Sequence, residues 1–193
     1  MIQSEKQSLR AHLRSLPPPS PEGTTGLLTT ILGTAEWQAA SSILLYAPLP
    51  GEPDPTEILA HHGRKSFLFP RISGDFLELF RWLPDSIWTV GSFGLREPDS
   101  GTWERVNPGN VDLALIPGLA FDTSGRRLGR GRGFYDRLLG DRGFHAIKAG
   151  LCPEDRLLTE IPIEPHDVVM DLVITGQRVI RPSSMLDKPS QSG

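Results

Sequence analysis

The segment from Leu113 to Leu139 constrains this chain more than any other. Leu113-Ala-Leu-Ile116 is an apolar run of the kind buried on both faces of a sheet, and Pro117 ends it. A polar loop follows, with Gly129, Gly131 and Gly133 at alternate positions and Arg130 and Arg132 between them. Phe134, Tyr135, Asp136 and a short apolar helix to Leu139, stopped by Gly140, close the unit. Alternate glycines let backbone amides turn toward an anion with no Cβ in the way, and the start of a helix adds partial positive charge. The arginines offer planar, permanently charged forks to phosphate or carboxylate. Asp136 would sit poorly beside bare phosphate unless a cation lay between them, so the combination points to a magnesium-bound nucleotide. The spacing is neither that of the P-loop nor that of the dinucleotide fingerprint. A glycine-rich turn that holds nothing is the competing reading.

Around this unit the pattern alternates strands with helices, which predicts an α/β fold: an open mixed sheet flanked by helices. Ser4 to Leu16 reads as a helix with Leu9, Leu13 and Leu16 on one stripe, stopped by Pro17-Pro18-Pro19. Lys6, Arg10 and Arg14 form a second stripe, by default a solvated basic face; on the sharper reading the helix lends Lys6 and Arg10 to a phosphate site. Ser20-Pro21-Glu22 resembles a cap with proline at the first helical position, opening a helix to about Leu32. Strands are expected at residues 43–47, 66–70, 76–83, 111–116 and 144–150, with a short helix at 56–62. Residues 170–175 and 179–180 read as a closing hairpin around Gly176-Gln177. Residues 86–110 look largely irregular. The chain divides into one domain over 1–181 and a Ser- and Pro-rich tail, 182–193, expected to be disordered. Ligands of such sheets lie beyond the carboxyl ends of strands, where the loop after Pro117 begins.

Composition excludes several roles. The formal net charge of -3 gives no global basic field for nucleic acid, so an anion site must be a local cluster. The single cysteine, Cys152, rules out an internal disulfide and fits a buried, idle thiol in a reducing compartment. No apolar run approaches the ~20 residues of a membrane span, and the first helix is too charged for a signal segment. A soluble, cytoplasmic protein is expected. His61, His62 and His145 have no metal-ligand spacing.

Taken in order, these residues resemble the 5-formyltetrahydrofolate cyclo-ligase family, also called methenyltetrahydrofolate synthetase. The resemblance rests on Lys6-Gln-Ser-Leu9-Arg10, Tyr46-Ala-Pro-Leu-Pro-Gly-Glu52 through Thr56, Phe69-Pro70-Arg71, Gly94-Leu-Arg-Glu97-Pro98, the long motif Pro117 to Leu139, and His166-Asp167-Val-Val-Met-Asp171. It reaches to about Thr175. It implies a sheet similar to the ribose-5-phosphate isomerase and CoA transferase-like fold. It also implies a ligase that uses ATP and magnesium to turn 5-formyltetrahydrofolate into 5,10-methenyltetrahydrofolate, releasing ADP and phosphate. In that chemistry the formyl oxygen is phosphorylated and the neighbouring nitrogen closes the ring, which calls for charge neutralisation and positioning more than for a protein nucleophile.

The resemblance further implies roles for single residues. Lys6, Gln7, Ser8, Leu9 and Arg10 would contact the phosphates of ATP. Arg127, Leu128, Gly129, Arg130, Gly131, Arg132, Gly133, Phe134 and Tyr135 would form the nucleotide loop, with Arg130 to Phe134 also touching the folate beside Ala47 and Glu52. Arg130, Lys6 and Arg10 would act in catalysis, and Asp136 and Asp171 would hold the magnesium. The aromatics Trp88, Phe93 and Trp103 could line the pterin pocket or pack in the core or a lid, and of the three Trp88 is the one of interest. Arg132, Arg156 and Gly176 stand where the family more often has Gly, Gln and an acid, which touches folate contacts more than nucleotide contacts. The partners implied are small molecules only, with no nucleic acid, no membrane and a monomeric state. Two alternatives compete: a paralogue with another substrate, as in thiamin or other cofactor salvage, and a non-catalytic folate- or nucleotide-binding protein.

Overall fold

Successive side chains of a strand point to opposite faces, and this alternation sorts the apolar residues of the chain into two core layers. The computed structural model describes residues 2–20, 25–91 and 94–182. Its strands, in chain order, are β1 Ser42–Leu44, β2 Ser66–Ser73, β3 Phe76–Arg81, β4 Trp88–Val90, β5 Arg96–Pro98, β6 Glu104–Val106, β7 Leu113–Ile116, β8 Ala120–Asp122, β9 Arg127–Leu128, β10 Ile147–Leu151, β11 Leu157–Leu158, β12 Leu172–Ile174 and β13 Val179–Ile180. The helices are α1 Ile2–Ser15, α2 Leu27–Leu32, α3 Ala35–Ala39 and α4 Phe134–Leu139. The main sheet has the order β13-β12-β10-β7-β1-β2-β3-β6. Its five central strands, β12 to β2, run parallel, and β13, β3 and β6 add antiparallel edges.

On one face Ile43, Phe67, Phe69, Leu113, Leu115, Ala149 and Leu172 meet Leu27 and Ile31 of α2 and Trp37 of α3. On the other, Leu44, Leu68, Ala114, Ile116 and Val173 meet Leu138 and Leu139 of α4. Leu113 to Ile116 is therefore buried at every position, as the unbroken apolar run predicts. The first helix covers neither face. Its Leu13, with Leu9 and Leu16 beside it, packs on Ala120 and Leu128 of a small separate sheet, β11-β8-β9, and on Ile161 after β11.

That small sheet is fixed by a buried acid. Asp122 is fully buried; its Oδ1 accepts from the N–H groups of Ser124 and Arg126, and its Oδ2 from that of Ile161, each at 2.9 Å. Asp122→Ala would leave three N–H groups without their acceptor. The expected result is a loss of about 3 kcal/mol in stability, read as a lower urea midpoint at unchanged slope.

Several expectations shift. The first helix and the β12–β13 hairpin form as read. The strand expected at 43–47 ends at Leu44, and Tyr46 and Ala47 leave the sheet. Residues 86–110 hold three short strands, too brief for a period to register, held by an edge-to-face cluster of Trp88, Trp103 and Phe69 with ring centroids 4.8 to 6.1 Å apart. Trp88 thus belongs to the core and not to a ligand pocket, and Phe93 lies outside the described residues. Of the helix expected from Ser20 to Leu32, residues 21–24 lie outside the described residues and the rest forms α2. The helix α3 gave no warning in the sequence; Thr34 caps it by accepting from Trp37 N at 3.1 Å. Residues 183–193 of the expected tail also lie outside the described residues. Cys152 is buried, and burial pushes its thiol up to about 12, so it is inert as a nucleophile. No helix among the described residues is long and apolar enough to cross a membrane.

Candidate active site

A cleft of about 800 Å³ opens beyond the carboxyl-terminal ends of the parallel strands. Tyr46 and Ala47 follow β1 into it, Pro70 and Ile72 come from the far half of β2, and Pro117 and Gly118 follow β7. The loop Gly129 to Gly133 forms one wall. The basic stripe of α1 forms another, Leu95 to Glu97 a third, and Glu164 to Asp167 contribute to the rim.

The glycine loop needs its glycines for conformation. Gly131 has φ 101° and Gly133 φ 69°, the left-handed region that side-chain-bearing residues avoid. The first helix then locks the loop. Arg10 Nε donates to Gly129 O at 2.9 Å, and Arg14 donates to Arg130 O at 3.2 Å. Lys6, one turn earlier, is 2% exposed and pairs through Nζ with Glu164 Oε2 at 3.0 Å and with the Asp167 carboxylate. The default expectation of a solvated basic face is overturned, and the fourfold spacing aims all three side chains at the cleft. Because α4 has only six residues, the positive field comes from arginines more than from a helix terminus.

Lys6, Arg10, Arg14, Arg127, Arg130 and Arg137 each meet an acid or a carbonyl. Arg127 donates to Asp136 Oδ1 at 2.8 Å and to Pro117 O at 3.4 Å, and lies over the Tyr135 ring, 5.5 Å from its centroid. Its Nε is buried with no acceptor. Arg130 Nε donates to Glu52 Oε1 at 2.9 Å, while Glu52 Oε2 accepts from Leu49 N at 3.0 Å. Arg132 lines the cleft, and its carbonyl accepts from Arg137 at 3.1 Å.

Burial, then the Glu52 charge, raises the phenols of Tyr46 and Tyr135 well above their ordinary value, so neither exchanges protons near neutrality. Burial alone would raise the Asp167 carboxyl, but the hydrogen bonds from Lys6 and the Glu164 N–H, with the charges of Lys6 and His166, outweigh it and hold it low. Glu97 goes the other way: burial raises it, against the Ile72 N–H and the Arg71 charge.

The cleft brings together Lys6, Arg10, Ala47, Glu52, Arg127, Gly129 to Tyr135 and Asp136, as the sequence leads one to expect. It leaves out five others. Gln7 and Ser8 are exposed on other sides of α1, because consecutive helical residues diverge by about 100°. Leu9 and Leu128 pack in the small core beneath the loop. Asp171 stands at the amino end of β12, the opposite end of the parallel strands from Pro117. Its carboxylate accepts from Lys148 N at 2.8 Å and pairs with Lys148 Nζ at 3.0 Å. It does not share a site with Asp136. Glu164, His166 and Asp167 present oxygens and a nitrogen within 4.8 Å of one another, as a metal site would, but the cation there is the Lys6 ammonium. Sequence reasoning quoted Glu97, His166 and Asp167 within motifs and gave none of them a role.

Comparison with known proteins agrees with this geometry. The profile of the 5-formyltetrahydrofolate cyclo-ligase family matches residues 2–176. A 5-formyltetrahydrofolate cyclo-ligase of Mycolicibacterium smegmatis is 47% identical over 91 residues, 47% of either chain. One of Haemophilus influenzae is 28% identical over 181 residues, 91% of this chain and 96% of that one. The solution structure of Aquifex aeolicus 5,10-methenyltetrahydrofolate synthetase superposes with a TM-score of 0.77 at 30% identity, covering 100% of this chain and 97% of that one.

Proposed function

The chain belongs to the 5-formyltetrahydrofolate cyclo-ligase family, and on that premise we propose that it couples ATP cleavage to the conversion of 5-formyltetrahydrofolate into 5,10-methenyltetrahydrofolate, releasing ADP and phosphate. The observation that carries this reading is the convergence of Arg10, Arg127 and Arg130 on the glycine loop, in the same cleft as the Glu52 carboxylate. The first group suits a triphosphate; the second suits the amino group and ring N–H donors of a pterin.

The formyl group on N5 is an amide, and its oxygen leaves poorly. Transfer of the γ-phosphoryl group to that oxygen makes it a phosphate ester on an iminium-like carbon. N10 attacks the carbon, and phosphate departs. The protein must hold donor and acceptor in line and neutralise charge spreading over the phosphoryl oxygens, and fork donors with backbone amides do both. Magnesium fits the cleft through Asp136 and the phosphates of the nucleotide, a mode that needs few protein ligands, and would supply further charge neutralisation there.

Purified protein with ATP, magnesium and 5-formyltetrahydrofolate is expected to show growing absorbance of the methenyl product, with one ADP formed per product. ADP formation without the formyl folate, or no methenyl product at all, would overturn the assignment in favour of another substrate or a simple binder.

A further inference from the structure

Ring closure liberates a proton as well as phosphate. N10 of the formyl folate bears a hydrogen, which it must shed when its lone pair becomes the new bond to carbon. We propose that the carboxylate of Glu97 is the base that takes this proton, an inference that rests on the cyclo-ligase reading.

Five carboxylates line the cleft: Glu52, Glu97, Asp136, Glu164 and Asp167. Glu52 is held by Arg130 at 2.9 Å and Asp136 by Arg127 at 2.8 Å, while Glu164 and Asp167 share Lys6. An acid bound to a cation is a weak proton acceptor, since the cation favours its ionised form. Among the described residues Glu97 is the member of the five that forms no ion pair. Its side chain accepts one long hydrogen bond, 3.4 Å from Ile72 N, although the residue is only 5% exposed.

A buried acid in such sparse company costs stability unless something else uses it. The fold nevertheless makes room for it. Glu97 pairs with Thr89 across the β4–β5 ladder, and its carboxyl lies against Gly91, where an added Cβ would come within 1.9 Å of Oε2. The charged groups beside it are Arg71 of β2, whose guanidinium donates to Pro98 O, and Arg96 of its own strand, which stacks over Trp88 at 4.9 Å. Burial raises the proton affinity of the carboxyl above that of an ordinary glutamate, which brings it nearer to the working range of a general base.

The step balances. The N10–C bond forms and the N10–H bond breaks, leaving its electron pair on nitrogen and its proton on Glu97. The C–O bond then breaks with its pair on the departing phosphate, and Glu97 returns the proton to water. No oxidant, reductant or further reactant is needed.

The test compares wild type, Glu97→Gln and Glu97→Ala in methenyl formation. Gln keeps the shape beside Gly91 and still accepts from Ile72 N, so it removes basicity with least disturbance. Its kcat is expected to fall roughly 100- to 1,000-fold, with KM for ATP and for the formyl folate within about threefold of wild type. In wild type, kcat should rise with pH through an ionisation above the ordinary glutamate range, and that limb should vanish in the Gln variant. Added formate should restore part of the rate of Glu97→Ala, which a packing role would not allow. A Gln variant with wild-type kcat, or a defect confined to KM and untouched by formate, overturns the base while leaving the cyclo-ligase reading intact. Wild-type protein that makes no methenyl product overturns both.

Discussion

Arg130→Ala is expected to lower methenyl formation by roughly 100- to 1,000-fold in kcat, the usual cost of one preorganised charge donor. Arg130 stands between two glycines of the loop, held in place at its carbonyl by Arg14, and its guanidinium spans the cleft to Glu52. On the proposed reading a triphosphate entering the loop would compete with Glu52 for that fork, so the same side chain would serve both halves of the site. Removing it takes a charge from the phosphoryl-transfer step and leaves the buried Glu52 carboxylate without its cation. Arg130→Lys should recover only part of the loss, because an ammonium restores charge but not a planar pair of donors. Stability should fall as well, because the arginine is about one-third exposed but the Glu52 carboxylate left behind is buried. Unchanged steady-state kinetics beside an unchanged melting temperature would remove Arg130 from the site.

Lys6→Met should act first on the fold. The ammonium is almost wholly buried between Glu164 and Asp167, so its loss leaves two acids facing each other beneath α1. Breaking a buried pair from one side is expected to cost about 3 kcal/mol, measured by urea unfolding at pH 7. The pH dependence gives a sharper check. In the folded protein Asp167 is held below its ordinary 3.8, so the native state binds fewer protons there than the unfolded chain does. The stability this contributes is complete above the unfolded value and is lost as pH falls through the lower folded value. The deficit of the Met variant should therefore be full near neutrality and shrink in acid. A deficit independent of pH would mean that Lys6 contributes through packing alone. Turnover should fall as well, since α1 sets the position of the loop through Arg10.

Most of the main sheet was legible because its central strands are buried on both faces and read as plain apolar runs, Leu113 to Ile116 above all. The turn at the glycine loop was legible because alternate glycines mark a backbone that takes the left-handed region, as Gly131 and Gly133 do. What stayed hidden depends on long-range pairing. Nothing in the spacing of Lys6 says that its partners lie near residue 165, or that Arg127 and Asp136 are joined. The stripe Lys6, Arg10 and Arg14 looks identical in sequence whether it faces water or a phosphate loop; only the Leu9–Leu13–Leu16 side, docked on the β11-β8-β9 sheet, decides which. Asp171 misled because an acid in a motif carries no mark of which end of a strand it occupies. Glu97 was passed over because β4 and β5 are only three residues long, too short to show which face of a strand a side chain takes.

The walls of the cleft come from stretches near residues 6, 50, 70, 96, 130 and 165. No fragment of the chain carries the site, and a guest lodged there fastens the first helix to a rim built near the far end of the described residues. Occupancy then works as a clasp on the entire architecture, because whatever binds only the folded form deepens its free-energy well.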